Sequence, residues 1–152
     1  MTRVLHILDH SLPLHSGYTF RTRAILKSLQ GAGVEVRGIT GQRHFAEGPP
    51  VEKVEGLTFH RTPGQPSGPP VWREWREIEA LRQEIEQVVH EWRPDIIHAH
   101  SPALCGMAGL RAARRLRLPF VYEIRAFREP SLLHTCCCRP PPPPHIPPSP
   151  AS

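Results

Sequence analysis

The sequence predicts an α/β fold, a mostly parallel sheet with helices on both faces. Three observations carry this. Short strand-like runs alternate with stretches of helical period along the chain. The runs RVLHILD, DIIHAH and PFVYEI are nearly continuous in apolar character, as strands covered on both faces are. Glycine and proline mark the joins, at Gly31-Ala32-Gly33 and at Pro94.

Residues 3–9 form the first predicted strand, and residues 10–17 (HSLPLHSG) the polar loop after it. Residues 18–32 read as an amphipathic helix that the glycine pair stops. Residues 34–40 (VEVRGIT) are a second strand and residues 41–50 a loop. Residues 51–54 and 57–61 flank Glu55-Gly56, a two-residue hairpin turn. Residues 62–70 (TPGQPSGPP) are loop. Residues 72–92 give the strongest helix signal, with Trp72, Trp75, Ile78, Leu81, Ile85, Val88, Val89 and Trp92 at three- and four-residue steps. Its tryptophans are expected to anchor the core. Residues 95–100 are a buried strand. Ser101 is expected to cap the next helix, with Pro102 at its first position and its end near Leu116. Arg111, Arg114, Arg115 and Arg117 gather toward that end, where the helix dipole favours cations. Residues 119–124 are the last strand.

From residue 131 the character changes. The stretch SLLHTCCCRPPPPPHIPPSPAS has no periodicity, and nine of the 19 prolines lie beyond Ala126. We expect residues 130–152 to be a disordered Pro/Cys-rich tail. A shifted reading frame or a misplaced gene end would produce it. Loss of later strands would leave an unpaired sheet edge. A ligand for a proline-recognising partner is the rival reading.

The chain has 152 residues, the size of one domain, and a net charge of +5, which favours an anionic partner or simply a basic surface. No apolar run approaches the roughly 20 residues that span a membrane. The N-terminal apolar run is too short and interrupted for a signal peptide, so a cytoplasmic site is expected. Cys105 stands alone and Cys136, Cys137 and Cys138 are consecutive, which suits neither disulfides nor zinc-ligand spacing. Scattered basic residues without a helix-turn-helix or aromatic RNA-binding signature argue against nucleic acid.

The candidate site follows from the strand order. Right-handed crossovers bring the carboxyl ends of parallel strands to one edge. Residues 10–17, Thr40, 98–101 and 123–127 all fall there. The first loop meets a helix start at Ser16-Gly17, where unpaired N–H groups and the dipole favour an anion. Gly17, lacking a Cβ, permits close backbone approach. Neither GxGxxG nor GxxxxGK[ST] is present. His98 and His100 are expected on opposite sides of the sheet or at the strand end, suited to a sugar hydroxyl or a phosphate. A metal centre lacks a third and fourth ligand. Glu123 and Arg125, two apart, point the same way and can hold hydroxyls and a phosphate or pair with neighbours. Arg21 and Arg23 lie in the first turns of the helix, beside the anion site if they face it. Cys105 is a core residue, and no nucleophilic triad is visible.

Residues 1–26 (MTRVLHILDHSLPLHSGYTFRTRAIL), 93–104 (RPDIIHAHSPAL) and 118–127 (LPFVYEIRAF) closely resemble the N-terminal domain of family-4 glycosyltransferases. The subgroup most resembled is the one associated with exopolysaccharide and exosortase (PEP-CTERM) gene clusters. HSLPLHSGYTFR and the EIRAF segment are fairly specific to that subgroup, while the DIIHAHS pattern is common to the whole family. The resemblance covers residues 1–129. It implies the N-terminal half of a GT-B architecture, two Rossmann-like domains with the active site between them. This half holds the acceptor and the absent C-terminal half the nucleotide-sugar, which is a co-substrate. It further implies retained anomeric configuration, no metal and no cofactor. By position, Ser16 and Gly17 become the donor-phosphate loop, and His98, His100 and Ser101 line the cleft. Glu123 and Arg125 stand where many members carry a cleft histidine. The implied partners are a nucleotide-sugar and a glycan or lipid-linked acceptor, with peripheral membrane contact at the Arg-rich helix end. The chain alone is expected to be inactive. A non-catalytic nucleotide- or phosphate-binding module is the alternative, and a scaffold that recruits through its tail a third.

Overall fold

The computed structural model describes residues 1–44 and 48–125. Six strands form one sheet in the order β3-β4-β2-β1-β5-β6. These are β1 (Arg3–Leu8), β2 (Glu35–Thr40), β3 (Val51–Val54), β4 (Leu57–Arg61), β5 (Ile96–His100) and β6 (Phe120–Glu123). Only the β3/β4 hairpin is antiparallel, turning through Glu55 and Gly56, both at positive φ. Every other pairing is parallel. The helices are α1 (Gly17–Gly31), α2 (Pro70–Trp92) and α3 (Ala103–Leu116). The α/β class and each predicted element are therefore present.

Strand alternation sorts the sheet into two faces. Leu8, Val36, Leu57 and Phe59 meet Leu26 of α1 and Leu12 on one face. Leu5, Ile7, Ile39, Ile97 and Ala99 meet α2 and α3 on the other. Each fully buried aliphatic side chain contributes on the order of 1.5–3 kcal/mol. Helix α3 approaches the sheet through Gly109, where a Cβ would lie 2.6 Å from Cδ1 of Ile7 and 2.9 Å from Cε2 of Phe120.

Two expectations fail. Trp92 is buried, at 6% exposure, but Trp72 and Trp75 are 66% and 50% exposed. Burial along α2 begins only at Glu77, so its first two turns lack the neighbours that would cover an indole. Trp75 instead lies under the Arg111 guanidinium, 4.2 Å from its ring centre. Ser101 does not cap α3: Pro102 is the cap residue, with no side-chain hydrogen bond. The Ser101 hydroxyl is turned to the neighbouring strand, where it accepts from the Arg125 amide at 3.1 Å.

Among the described residues no helix is long and apolar enough to cross a membrane. The tail expected at 130–152 and its cysteines lie outside the described residues, as do residues 126–127 of the last predicted site segment.

Candidate functional site

Parallel pairing builds a polar group on the α1 face at the carboxyl edge. His6 is the register partner of His98, and His100 that of Glu123. His98 and His100 face the same side, contrary to expectation, because residues two apart on a strand share a face. Their rings stack at 4.3 Å, and His6 lies 4.9 Å from the first and 5.2 Å from the second. His6 and His100 are wholly buried. Arg125 closes the group from above. Its guanidinium donates to Nδ1 of His100 at 2.6 Å, to Oγ1 of Thr22 at 2.6 Å and to Oε1 of Glu123 at 3.2 Å. It also stacks over Tyr18 at 4.8 Å. Glu123 and Arg125 do point the same way.

Burial, then the charges of His98 and Arg125, pushes the His6 pKa down to about 3. Burial and the nearby Arg125 push His100 down to about 2. Burial also lowers His98, against the opposing pull of Glu123. All three are neutral at pH 7. Their ligand-capable atoms lie within 4.8 Å of one another, so β1 supplies the third nitrogen that was missing from the sequence pattern. Two of the three rings are already engaged. Nδ1 of His6 and Nε2 of His100 lie 2.9 Å apart across a hydrogen bond, and the Arg125 cation holds the other nitrogen of His100.

The first loop ends at the α1 start. Ser16 is its N-cap, accepting from the Thr19 amide at 3.1 Å. No acidic residue stands in the first turn, so the positive end of the dipole is uncompensated. A Cβ on Gly17 would meet nothing within 4 Å, which leaves the helix start open. Behind it, Asp9 Oδ2 lies 3.1 Å from His10 Nδ1, and His10 Nε2 lies 2.8 Å from Ser16 Oγ. The connectivity is that of an acid–imidazole–hydroxyl triad. Ser16 Oγ is nonetheless held on three sides: it accepts from the Thr19 amide and lies within hydrogen-bond distance of His10 and, at 3.0 Å, of the Thr19 hydroxyl. It anchors the loop rather than serving as a nucleophile. Cys105 is buried, and burial pushes its thiol pKa up, so it too is inert.

Arg23 does not face the anion site; it pairs with Glu55 in the hairpin turn. Arg21 is exposed. Thr40 is fully buried and belongs to a neighbouring polar group centred on Arg61. Arg61 donates to Ser11 Oγ at 2.6 Å, Thr40 Oγ1 at 3.2 Å, the Leu12 carbonyl at 2.6 Å and Glu52 at 2.9 Å. A cavity of about 460 Å³ opens beside it, lined by Gln42, His44, Thr62 and Gln65 among others. Burial and Arg61 lower His44 to about 4. His6, Thr22 and Arg61 are the site residues that sequence reasoning missed. A lone histidine inside the apolar run of β1 was the signal for the first.

A model of the Glycosyl transferase 4-like domain matches residues 16–149. A GDP-mannose-dependent alpha-mannosyltransferase of Mycolicibacterium smegmatis is 30% identical over 125 residues, covering 78% of this chain and 31% of that protein. The chain thus spans about a third of the length of the curated relatives it matches. Among solved structures, sucrose-phosphate synthase from Thermosynechococcus elongatus superposes with a TM-score of 0.60 at 15% identity, over 91% of this chain and 36% of that one. The catalytic domain of starch synthase IV from Arabidopsis thaliana, bound to ADP and acarbose, superposes with a TM-score of 0.60 at 18% identity, over 82% and 34%.

Proposed function

The chain belongs to the glycosyl transferase 4-like domain family, and from that premise we propose that residues 1–129 are the acceptor-side domain of a retaining glycosyltransferase. The full enzyme would move a sugar from a nucleotide-sugar to a glycan or lipid-linked acceptor in exopolysaccharide assembly. The observation that carries this is the open, unshielded start of α1 at Ser16 and Gly17, beside the Glu123–Arg125 group at the same sheet edge.

In this reading the first-turn amides and the α1 dipole offset charge on the departing nucleoside diphosphate, at no reorganisation cost. His98, Ser101 and Glu123 orient the acceptor hydroxyl, and buried His100 acts through Arg125. Every ring nitrogen of His100 is spoken for, so the reading uses no resident metal or cofactor; the nucleotide-sugar is a co-substrate. A nucleoside diphosphate sugar is favoured by the relative named for GDP-mannose and by the starch synthase bound to ADP. The protein works in the cytoplasm. Arg114 and Arg117 at the end of α3 are its peripheral membrane contacts, since Arg111 is held by Trp75 and Arg115 by Glu86. Residues 130–152 stem from a shifted frame, which resequencing around Phe127 tests.

A second reading, a nucleotide- or phosphate-binding module without catalysis, rests on the same open helix start at Ser16 and Gly17, which needs no catalytic partner to hold an anion. One experiment separates them. The chain is assayed for transfer from GDP-mannose to a lipid-linked glycan, alone and fused to the donor-binding domain of a relative. Transfer only by the fusion, reduced by Arg125→Met, supports the first reading. Nucleotide binding by the chain with no transfer by the fusion supports the second, and transfer by the chain alone refutes the division of labour.

A further inference from the structure

We propose that His6, buried on β1 and outside the cleft, is a positioning residue that fixes the tautomer of His100 and through it aims the Arg125 guanidinium; the purpose of that aim rests on the glycosyltransferase reading.

Hydrogen-bond logic carries it. Arg125 can only donate. At 2.6 Å from Nδ1 of His100 it requires a lone pair there. Neutral His100 must then carry its proton on Nε2, which points at Nδ1 of His6 at 2.9 Å. His6 Nδ1 is therefore an acceptor, and the His6 proton sits on Nε2, a buried atom with no partner among the described residues. A wholly buried imidazole with one unmatched N–H carries a desolvation cost that a leucine of similar size would not. What His6 does that leucine could not is accept that one proton.

The alternative is poised alongside. Oε2 of Glu123 lies 3.0 Å from the same Nδ1 of His100 and can only accept. Arg125 and Glu123 thus compete for one nitrogen, and its protonation decides between them. With an acceptor at residue 6, His100 keeps its proton on Nε2 and Arg125 is held over Thr22 and Tyr18, beside the α1 start. Without that acceptor the proton moves to Nδ1 and bonds Glu123, and the guanidinium loses its anchor. The neutral state that this exchange needs is supplied by burial and by the Arg125 charge, which disfavour protonation of either ring.

The test reads the tautomer of His100 directly, by long-range 1H–15N correlation of the full chain at pH 7.5. The wild type should show the Nε2–H form. His6→Gln, whose amide oxygen can accept, should retain it; His6→Leu should shift it to Nδ1–H. Affinity for inorganic pyrophosphate should fall roughly tenfold in His6→Leu, as expected for one misaimed charge-assisted hydrogen bond, and be restored in His6→Gln. Should His6→Leu fail to fold, Arg125→Met carries the test, since the acceptor at residue 6 should still hold the His100 proton on Nε2 once the guanidinium is gone. An Nδ1–H form in the wild type, an unmoved Nε2–H form in His6→Leu, or a shift to Nδ1–H in Arg125→Met would overturn the proposal. So would one-to-one Zn²⁺ binding that His98→Gln abolishes, because a cation would occupy the lone pairs assigned here. These readouts need no sugar transfer, so they can succeed even if the fusion enzyme proves inactive and the glycosyltransferase reading fails.

Discussion

Mild acid should destabilise this domain through its buried histidines. His6 and His100 are held far below the ordinary histidine value of 6.5, at about 3 and about 2. Both are fully buried, so solvent screening does not dilute the effect. A depressed folded-state pKa gives stability that is complete above the unfolded value and is lost as pH falls below it, because the unfolded chain binds protons that the folded one refuses. Between pH 7 and pH 5 each group therefore costs about 2 kcal/mol, from 1.36 kcal/mol per pH unit over the interval below 6.5, and the pair about 4 kcal/mol. That is a large part of the roughly 5–15 kcal/mol that holds a domain together. His60, buried, and the partly buried His44 and His98 shift in the same direction and steepen the total. The window stays above the carboxylate range, so histidines dominate it. The assay is urea unfolding at pH 7, 6 and 5, on the wild type and on His6→Leu. The variant should lose about 2 kcal/mol less than the wild type across that interval. Equal pH slopes for both proteins, or a wild-type stability that is flat from pH 7 to 5, would refute the reasoning.

Three further outcomes are expected. Trp92→Ala should cost about 3–5 kcal/mol, since Trp92 is a buried ring under the Arg37 guanidinium, whereas Trp72→Ala should stay within about 0.5 kcal/mol; paired denaturation curves check both. Gly109→Ala should destabilise by about 1–3 kcal/mol through the clash with Ile7 and Phe120, lowering the melting temperature by several degrees in calorimetry. Ser16→Ala should cost about 1 kcal/mol by removing the α1 cap, and amide exchange in the first turn of α1 should quicken more than in α3.

The elements were legible because their signals are local. The apolar strands, the glycine stop after α1, the Glu55-Gly56 turn and the heptad-like spacing of α2 each depend on neighbours within a few residues. The convergence of the first loop, β5 and β6 on one edge followed from the handedness of crossovers, which needs only element order. Errors arose where a partner distant in sequence decided. Trp72 and Trp75 carry the same helical spacing as Ile78 and Leu81, but periodicity cannot tell which turns of a helix lie over the sheet. Ser101 has the composition of a cap, yet the Arg125 amide, 24 residues on, takes its hydroxyl. Arg23, left open between the anion site and the surface, is settled by Glu55, 32 residues on.

By itself, then, the sequence determined that this protein is a mostly parallel α/β domain whose first helix starts at Ser16 and Gly17. Dihedral preference, hydrophobic period and capping chemistry are properties of short stretches. Only the tertiary structure decided that His6 stands beside His98, that His100 is contested by Glu123 and Arg125, and that His10 fastens Ser16. Those contacts depend on which strands pair and in what register, and β1 meets β5 across more than 90 residues of chain. A shift of one residue in that register would turn His6 to the opposite face and dissolve the group.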